Sequence, residues 1–478
     1  MIPDRLNWLD RGINRRLAEI LNRAGFEVYL VGGSVRDALL GREASDFDYA
    51  TNARPDQMKP LFRDWADHLF TTGERFGTIG LIKEGTECQI TTFRAEIYEP
   101  ESRHPSVTFG DSIESDLERR DFTINAIALR LGHETPHLVD PFNGVADLAA
   151  GVIKTPAGPD LSFSDDPLRM VRLFRFMAEL GFRPAKAELE AVTRLKKRLG
   201  TISQERIRDE FSKLVVAENP VPALLAVIES GLSAEFIPEI DGLAMIEDPF
   251  HRHKDVLAHS LAVLAKTEPD LVLRLAALFH DVGKPATRRF EGSKVTFYHH
   301  EVIGARMTRR RLKKLRYPKK IVNDVAELVF LHMRAHTFKM GWTDSAVRRY
   351  VRDAGHLLNR LNQLARCDVT TRNDQRARRI QRHLDELEER IEALRAQEEL
   401  DAIRPPLNGN EVMDYLNLDP GPMVGTVLKM LLDRRIEQGP FNRVEAYSDL
   451  RDWAIAQGLP DPGDPPPEDA ETAGPENG

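Results

Sequence analysis

The chain has 478 residues, a formal net charge of −8, 41% hydrophobic and 30% charged residues. That length exceeds what one hydrophobic core can organise and implies three or four domains of a soluble, globular protein. No apolar run approaches the roughly 18 residues of a membrane span. The start MIPDRLNWLDRGINRR carries no apolar signal-peptide core, and Cys88 and Cys367 form no spaced motif. A membrane partner, a disulfide framework and a cysteine zinc site are therefore argued against, and a cytoplasmic location is expected.

From about residue 12 to 150 short strands alternate with helices. Phe26–Val31 reads as an apolar strand ending in Gly-Gly, and Val35–Leu40 as a helix. Phe47–Ala50, Thr78–Lys83 and Glu87–Phe93 read as further strands. From Pro167 onward the pattern is almost wholly helical. One apolar-periodic segment ends near Gly181 and another starts after a cap at Ser203, in 201-TISQERIRDEF. Around 241-DGLAMIEDPFHRH the composition shifts and histidines concentrate. The stretch 376-RARRIQRHLDELEERIEALRAQEEL-400 has the charges of a solvent-exposed helix that pairs along one stripe. The organisation expected is α+β: a mixed domain over 1–150, then helical domains over 151–240, 241–375 and 376–457. An acidic, Pro-rich end over 458–478, without bases or aromatics from Leu459 onward, is expected to be disordered. The net negative charge hides basic stretches, above all 306-RMTRRRLKKLRYPKK-320, which is either a solvated helix face or a phosphate-backbone patch.

The first chemistry-bearing constellation is 30-LVGGSVRDALLG-41 followed by 46-DFD-48. A strand, a Gly-Gly turn and a helix N-terminus let backbone amides approach a triphosphate. Residues two apart on a strand point to one side, so Asp46 and Asp48 would present two carboxylates together. Such a pair calls for a cation. Mg²⁺ suits one or two carboxylates plus phosphate oxygens, and two metal ions can activate a hydroxyl and stabilise a leaving pyrophosphate. The alternative is a solvated acidic strand edge. The stretch 164-SDDPLR-169 reads, taken alone, as a helix start: an Asp cap, Pro at the first turn, and an i,i+3 ion pair between Asp166 and Arg169.

The ordered set GGSVRDALLG, DFD, 119-RRDFTINA-126, 140-DPFNG-144, SDDPLR and 203-SQERIRDEF-211 resembles the bacterial class II tRNA nucleotidyltransferases, the CCA-adding enzymes, which share this arrangement with bacterial poly(A) polymerases. The stretches RLAALFHDVGKPATRRF and TDSAVRRYVRDAG resemble the actinobacterial members, so the likeness covers nearly all of the chain apart from its acidic end. It implies a polymerase-β-like nucleotidyltransferase head followed by an all-α neck, an HD domain and a helical tail. It assigns Asp46 and Asp48 to catalysis and Mg²⁺. Gly32, Gly33 and Arg36 would hold the triphosphate, Arg120 and Asp121 would lie at the nucleotide, and Asn125 would brace the loop. Asp166 and Arg169 would read the incoming base. Their side chains suit base reading, since Asp accepts from the exocyclic amine of cytosine or adenine and Arg donates to ring acceptors. Uracil and guanine would set a carbonyl against the carboxylate, a mismatch that can reject a base by about 10⁴-fold or more. Arg172 and Arg175 follow at helical spacing and would meet phosphate or primer RNA, unless the three arginines only line a solvated face. The sequence departs from the family at Gln89, where relatives have an acid before TTFR. A third carboxylate is absent or supplied by Glu87, and the Asp46/Asp48 pair is expected to suffice.

The second constellation is His259, the pair His280–Asp281 in 278-LFHDVGK-284, and Asp368. It resembles the H…HD…D pattern of HD-superfamily metal-dependent phosphohydrolases, and imidazole with carboxylate suits a divalent transition metal. His299, His300, His332 and His336 are extra candidates; with His300 and His332 the count allows two metals. The alternative is a relic that shapes the protein and holds tRNA.

The function expected is CCA addition to tRNA from CTP and ATP without a nucleic-acid template. CC-only or A-only addition is a close rival, because the deciding loop is hard to read. Poly(A) polymerase is argued against by the lack of a long basic N-terminal extension. A phosphohydrolase whose head serves as a sensor, or a pure RNA-binding protein, would not need Asp46 and Asp48.

Overall fold

The computed structural model describes the chain apart from residues 1–5, 7, 44–46, 98–105, 111, 133–136, 245–254, 292–293, 338–341, 370–373, 399–402 and 467–478. Contacts divide it into two units, Met1–Ala244 with Arg311–Tyr317 and Met245–Arg310 with Pro318–Gly478. Each is described by itself.

In the first unit the strands are β1 (Val28–Val31), β2 (Phe47–Thr51), β3 (His68–Phe70), β4 (Thr78–Lys83), β5 (Thr86–Thr92), β6 (Arg94–Ile97), β7 (Ser106–Phe109), β8 (Ala128–Arg130) and β9 (His137–Val139). Seven of them form one sheet in the order β3-β4-β5-β2-β1-β8-β9, while β6 and β7 pair as a separate hairpin. Within the sheet β2 and β5 run parallel and the other pairs antiparallel. The period of two along each strand sorts the two faces. Val28 and Leu30 of β1 join Leu17 and Leu21 of the helix Gly12–Arg23 and Met58 and Phe62 of the helix Pro55–Phe62 in the larger core. Tyr29 and Val31 point the other way, into a smaller cluster with Ala50, Phe93, Leu117 and Ala128. Asp48, two residues before Ala50, belongs to this thinner face.

The strand expected from Phe26 begins only at Val28. The amide of Phe26 is used by Leu21 O at the helix end and that of Glu27 by Asn52 Oδ1, so neither enters the ladder. The helix expected from Val35 begins earlier, over Gly33–Leu39, because Gly32 at φ 76° turns the chain directly from β1 into it.

After a two-residue parallel pair, β10 (Val152–Ile153) with β11 (Arg183–Pro184), the unit is helical. The helix Leu168–Leu180 ends at Gly181, whose φ of 71° suits a left-handed C-cap. It packs against the helix Gln204–Val216, capped by Ser203 Oγ accepting from Arg206 N at 3.4 Å. Phe122 meets Phe176 edge-on with ring centroids 5.6 Å apart, tying the sheet domain to this helical part. Arg311, which the basic run 306–320 would present to phosphate, is instead buried, with both arms on Glu239 at 2.7 and 3.0 Å. Arg306, Arg310, Lys313 and Lys314 of the helix His300–Lys314 are exposed.

The second unit is helical apart from the hairpin of β12 (Arg289–Glu291) and β13 (Lys294–Thr296). The helix Asp374–Glu398 buries Leu384, Leu387, Ile391 and Leu394, one stripe of an otherwise charged helix. Leu407, Val412, Val427, Leu431 and Leu450 form a separate small core in the tail. The chain end expected to be disordered departs from that expectation over 459–466. Asp461 and Asp464 pair with Arg451 at 2.7 and 2.8 Å, and Tyr415 OH donates to Gly463 O at 2.8 Å. The acids of this stretch have a cation to settle on, which composition alone does not reveal. Among the described residues no helix is long and apolar enough to cross a membrane.

Candidate active site and metal centre

In the first unit β2 and the Gly-Gly turn meet because Val31, the residue before the turn, is the ladder partner of Asp48. Asp48 is exposed at the edge of two adjoining clefts. Asp46 lies outside the described residues. A Cβ on Gly32 would lie 3.3 Å from Arg120 Nη1 and 3.8 Å from Asp48 Oδ2, so the glycine keeps the floor between a cation and a carboxylate clear. On β5 the ladder partner of Asp48 is Gln89, also exposed. Gln89, where the resemblance implied an acid, thus sets a neutral amide beside Asp48. Glu87 lies two residues along β5, on the same side.

The arginines of the clefts are held by neighbouring acids and one amide. Arg36 Nη1 donates to Asn125 Oδ1 at 2.8 Å, and its Nε and Nη2 donate to Asp37 at 2.9 and 3.0 Å. Asp116, almost fully buried, takes Arg119 at 2.8 Å and Arg120 at 3.0 Å. Burial raises its pKa, but the two guanidinium charges outweigh that and hold it below the usual carboxylate range. Asp121 accepts from Phe122 N at 2.8 Å, Asn125 Nδ2 at 3.0 Å, and Arg172 Nε and Nη2 at 2.9 and 2.5 Å. Against its burial, Arg172 and Asn125 hold its carboxyl well below the ordinary range. Asp121 is therefore an ionised clamp on Arg172, with its oxygens spent on the protein.

Arg172 also reaches Glu210 at 3.2 Å, and Arg175 lies 3.1 Å from Glu210 and 4.1 Å over the Phe176 ring. Neither arginine sits on a solvated face: Arg172 is partly buried, Arg175 is buried, and both line the cleft. The motif 140-DPFNG-144 supports this loop from behind. Asp140 accepts from Gly144 N and Val145 N at 2.6 and 2.9 Å, and a Cβ on Gly144 would lie 2.1 Å from Thr123 O.

In SDDPLR the helix cap is real. Asp166 Oδ1 accepts from Leu168 N at 3.1 Å. The i,i+3 partnership is not formed. Asp166 Oδ2 takes Arg206 at 2.9 Å, while Arg169 donates to Ser162 Oγ at 2.7 Å and to Arg119 O at 2.5 Å. Arg169 is thereby fixed against the arginine pair of the neighbouring loop. Asp48, Arg120, Asp121, Asp166, Arg169, Arg172 and Arg206 line one cleft of about 410 Å³. Gly32, Gly33, Arg36, Asp48, Asn125 and Arg175 line the other, of about 450 Å³. Arg206 and Glu210 escaped the site reading of the sequence, although SQERIRDEF stood out. Their i,i+4 spacing put them on one helix face, and nothing in the spacing said which acids and cations they would meet.

In the second unit His259, His280 and Asp368 converge. His259 Nε2 lies 2.8 Å from Asp368 Oδ1 and 3.2 Å from His280 Nε2, and Asp281 Oδ2 is 3.3 Å from His280 Nε2. Burial pushes the His280 imidazole down, but Asp281 and then Asp368 outweigh it and raise it to about 9. His300 and His332 also join, with Nε2 atoms 3.3 Å apart. Burial lowers His332 to about 3. His299 is exposed and outside the cluster. The side chain of His336 and the stretch 245–254, which holds all of DPFHRH, lie outside the described ones. A side chain at Gly283 of HDVGK would force the backbone to shift, since a Cβ there would lie 2.1 Å from His300 O and 2.7 Å from Gly304 N. Lys284 Nζ donates to Asp281 Oδ2 at 2.5 Å.

Three family models match in order: the poly A polymerase head domain over residues 28–154, the probable RNA and SrmB-binding site of polymerase A over 181–243, and the HD domain over 256–373. The chain is 34% identical over 440 residues to an A-adding tRNA nucleotidyltransferase of Deinococcus radiodurans, covering 89% of this chain and 95% of that one. It is 39% identical over 271 residues to a CCA-adding enzyme of Geobacillus thermodenitrificans, a match that spans 56% of this chain and 63% of the relative. The fold is that of the Bacillus stearothermophilus CCA-adding enzyme solved in complex with CTP, with a TM-score of 0.66 at 23% identity over 96% of this chain and 99% of that one. With head, RNA-binding and HD segments in this order and a relative matched nearly end to end, the chain belongs to the bacterial class II family of poly(A) polymerases and tRNA nucleotidyltransferases, and is a nucleotidyltransferase.

Proposed function

We propose that this chain is a CCA-adding tRNA nucleotidyltransferase, using CTP and ATP without a nucleic-acid template. The observation that carries the reading is the convergence of Asp48, the Gly32–Gly33 turn and the Asp166/Arg169 pair on adjoining clefts. A reacting α-phosphate and a base edge can be held there at once.

The terminal ribose hydroxyl of the tRNA attacks the α-phosphate of the bound nucleotide, and pyrophosphate leaves. Gly32, Gly33 and Arg36 receive the triphosphate, with the helix Gly33–Leu39 turning its N-terminus toward it. Arg120 and Arg172 meet the phosphates from the loop side, aimed by Asp116 and Asp121. Because those acids are buried and ionised, the guanidinium groups need little reorganisation when the charge arrives. Asn125 braces Arg36 to Asp121. Arg175 steadies Arg172 through their shared partner, Glu210.

The donor set at Asp48 fits a hard cation: an exposed carboxylate in a phosphate-sized cleft, with Asp46 two residues ahead in the sequence. Asp46 and Asp48 would hold Mg²⁺, which supplies charge stabilisation at the phosphate and activation of the hydroxyl. Asp166 accepts from the exocyclic amine of cytosine or adenine. Arg169, held by Ser162 and Arg119 O, donates to the ring. Asp166 gives up Arg206 or shares it when the base arrives.

In the second unit His259, His280, Asp281 and Asp368 fit a divalent transition metal, since the imidazole Nε2 atoms and carboxylate oxygens face one another. Binding of tRNA is phosphate-driven and salt-sensitive.

Addition of A alone is the second reading, because the relative matched over 95% of its length bears the name of an A-adding enzyme. The test is extension at single-nucleotide resolution of tRNA transcripts ending before CCA, after C and after CC, each with CTP, ATP, both, or UTP and GTP. Two C additions, one A and a stop are expected. A on the CC transcript alone would select the second reading, and no incorporation would overturn both.

A further inference from the structure

Outside the HD cluster, the second unit holds a cavity of about 510 Å³, larger than either cleft of the first unit. Its walls come from the end of the helix Asp344–Ala354, the turn Gly355–Leu357, the start of the helix Leu358–Cys367 and the last turn of the helix Asp374–Glu398. The polar side chains that line it are Arg352, His356, Asn359 and Arg395, and among the described residues no carboxylate does. Val351, Leu358 and Ile403 add an apolar wall. Cations and an amide without an acid select an anion. The apolar wall beside them selects one that carries a less polar body.

The acids of this region stand behind the cations. Arg352 donates from Nε and Nη2 to Asp353 Oδ1 at 3.0 and 2.7 Å, which leaves Nη1 without a partner among the described residues. Asp353 also takes Arg334. Burial raises the Asp353 carboxyl, but the two guanidinium groups outweigh it and hold it below its usual range. An ionised acid thus aims an arginine, as Asp116 and Asp121 do in the first unit. Arg395 Nη1 is held by Glu392 Oε1 at 2.7 Å on its own helix, and His356 Nε2 by Asp324 Oδ1 at 3.0 Å. Asn359 is exposed and makes no hydrogen bond among the described residues, so its amide offers a donor and an acceptor side by side. The number of charges sets the size of the anion. Two guanidinium groups match the two charges of a phosphate monoester. The clefts of the first unit bring Arg36, Arg120, Arg172 and Arg175 to their anion, and this cavity has no such set.

We propose that this cavity is a second nucleotide site, which binds a nucleoside monophosphate. Arg352 and Arg395 take the phosphate, Asn359 meets the edge of the base, and Val351, Leu358 and Ile403 lie against the base and sugar. A free nucleotide and the phosphorylated end of an RNA chain both offer this chemistry. The site is separate from the clefts of the first unit and does not depend on which nucleotides are added there.

The test is hydrogen–deuterium exchange of the full chain with AMP as the probe, read peptide by peptide so that this cavity is seen apart from the clefts of the first unit. AMP is expected to slow exchange over 351–359, and inorganic phosphate to do so only at higher concentration. Arg352→Gln and Arg395→Gln should each raise the AMP concentration for half-protection about tenfold, the loss of one charge-assisted hydrogen bond. Any protection over 28–36, in the first unit, should be the same in these variants as in the unaltered chain. Asn359→Leu should weaken AMP and leave phosphate as it was. Protection by a tetranucleotide with a 5′-phosphate, and not by the same one without it, would name an RNA end as the occupant; protection by AMP and by neither tetranucleotide would name the free nucleotide. No protection over 351–359 at millimolar AMP, or half-protection unchanged in both arginine variants, would overturn the site. Phosphate acting as strongly as AMP would overturn the nucleoside assignment. The unaltered protein decides even if a variant fails to fold, and circular dichroism shows which variants have folded.

Discussion

The two polar centres of this chain are built in opposite senses. In the first unit the buried groups are acids and the groups facing the cleft are arginines: Asp116 holds Arg119 and Arg120, and Asp121 holds Arg172. In the second unit the buried groups are themselves the donors, three imidazoles with backbone carbonyls behind them and Asp281, with His259 half-buried beside them. The first arrangement prepares positive charge for an anion that arrives and departs with each turnover. On the proposed reading the second offers its donors to a bound cation. Exposure follows the same logic: Asp48 is open to the cleft, while His280, His332 and Asp281 are each only 1% exposed.

The sharpest way to break this contrast is to remove the exposed carboxylate. Asp48→Ala is expected to lower nucleotide addition by about 10³-fold or more, since it removes a group that serves the developing charge. Single-turnover extension of a CC-ended tRNA measures this. The divalent-metal content of the HD cluster should stay as it was. Loss of both would show that the two centres are one system.

The next test asks whether the buried acids hold the cleft together. Asp121→Asn leaves the partly buried Arg172 with Glu210 as its remaining close acid, and is expected to cost about 1–3 kcal/mol in a urea titration at pH 7. The pH dependence has a definite sign. The folded carboxyls of Asp116 and Asp121 sit below their unfolded values. Their contribution is therefore complete above the unfolded range near pH 4 and is lost as pH falls through the folded values. Asp121→Asn should flatten that acid limb. An unaltered limb would mean that other carboxylates carry it.

A smaller effect is expected in the second unit. Gly283→Ala puts a Cβ 2.1 Å from His300 O. Relieving the clash by backbone shifts is expected to cost about 1–3 kcal/mol and to displace His300. Metal bound at the HD cluster should fall while far-UV dichroism stays near that of the unaltered chain. Retention of all bound metal would show that the cluster does not depend on the place of His300.

These variants also show what the sequence could and could not disclose. Period-two alternation made β1, β2, β4 and β5 legible, and the glycines at 32, 181 and 283 stood where the backbone needs them. The resemblance to the H…HD…D pattern placed His259, His280, Asp281 and Asp368 in one cluster. The exact partners were not legible, because they depend on helix rotation and on contacts far apart in sequence. Asp166 looked like a partner for Arg169 three residues on and instead meets Arg206, forty residues away. Asp121 lines the cleft, but that its oxygens are taken by Arg172, Asn125 and Phe122 N was not legible. Gln89 was visible as a departure, but only the register of β5 on β2 sets it beside Asp48.

The basic run 306–320 carries the same lesson to its smallest effect. By composition Arg310 and Arg311 are equivalent. In the structure Arg310 is exposed, while Arg311 is buried with both arms on Glu239. If the exposed face meets tRNA phosphates, Arg310→Ala should remove about one phosphate contact, changing the slope of log K against log salt by roughly 0.7–0.9 and leaving stability alone. Arg311→Ala should do the reverse: the slope stays, and the protein loses about 3 kcal/mol as Glu239 is left buried without its cation. Filter binding across a salt series, beside urea titrations of both variants, separates the two. Equal slopes for Arg310→Ala and the unaltered chain would make the exposed face a solvated one.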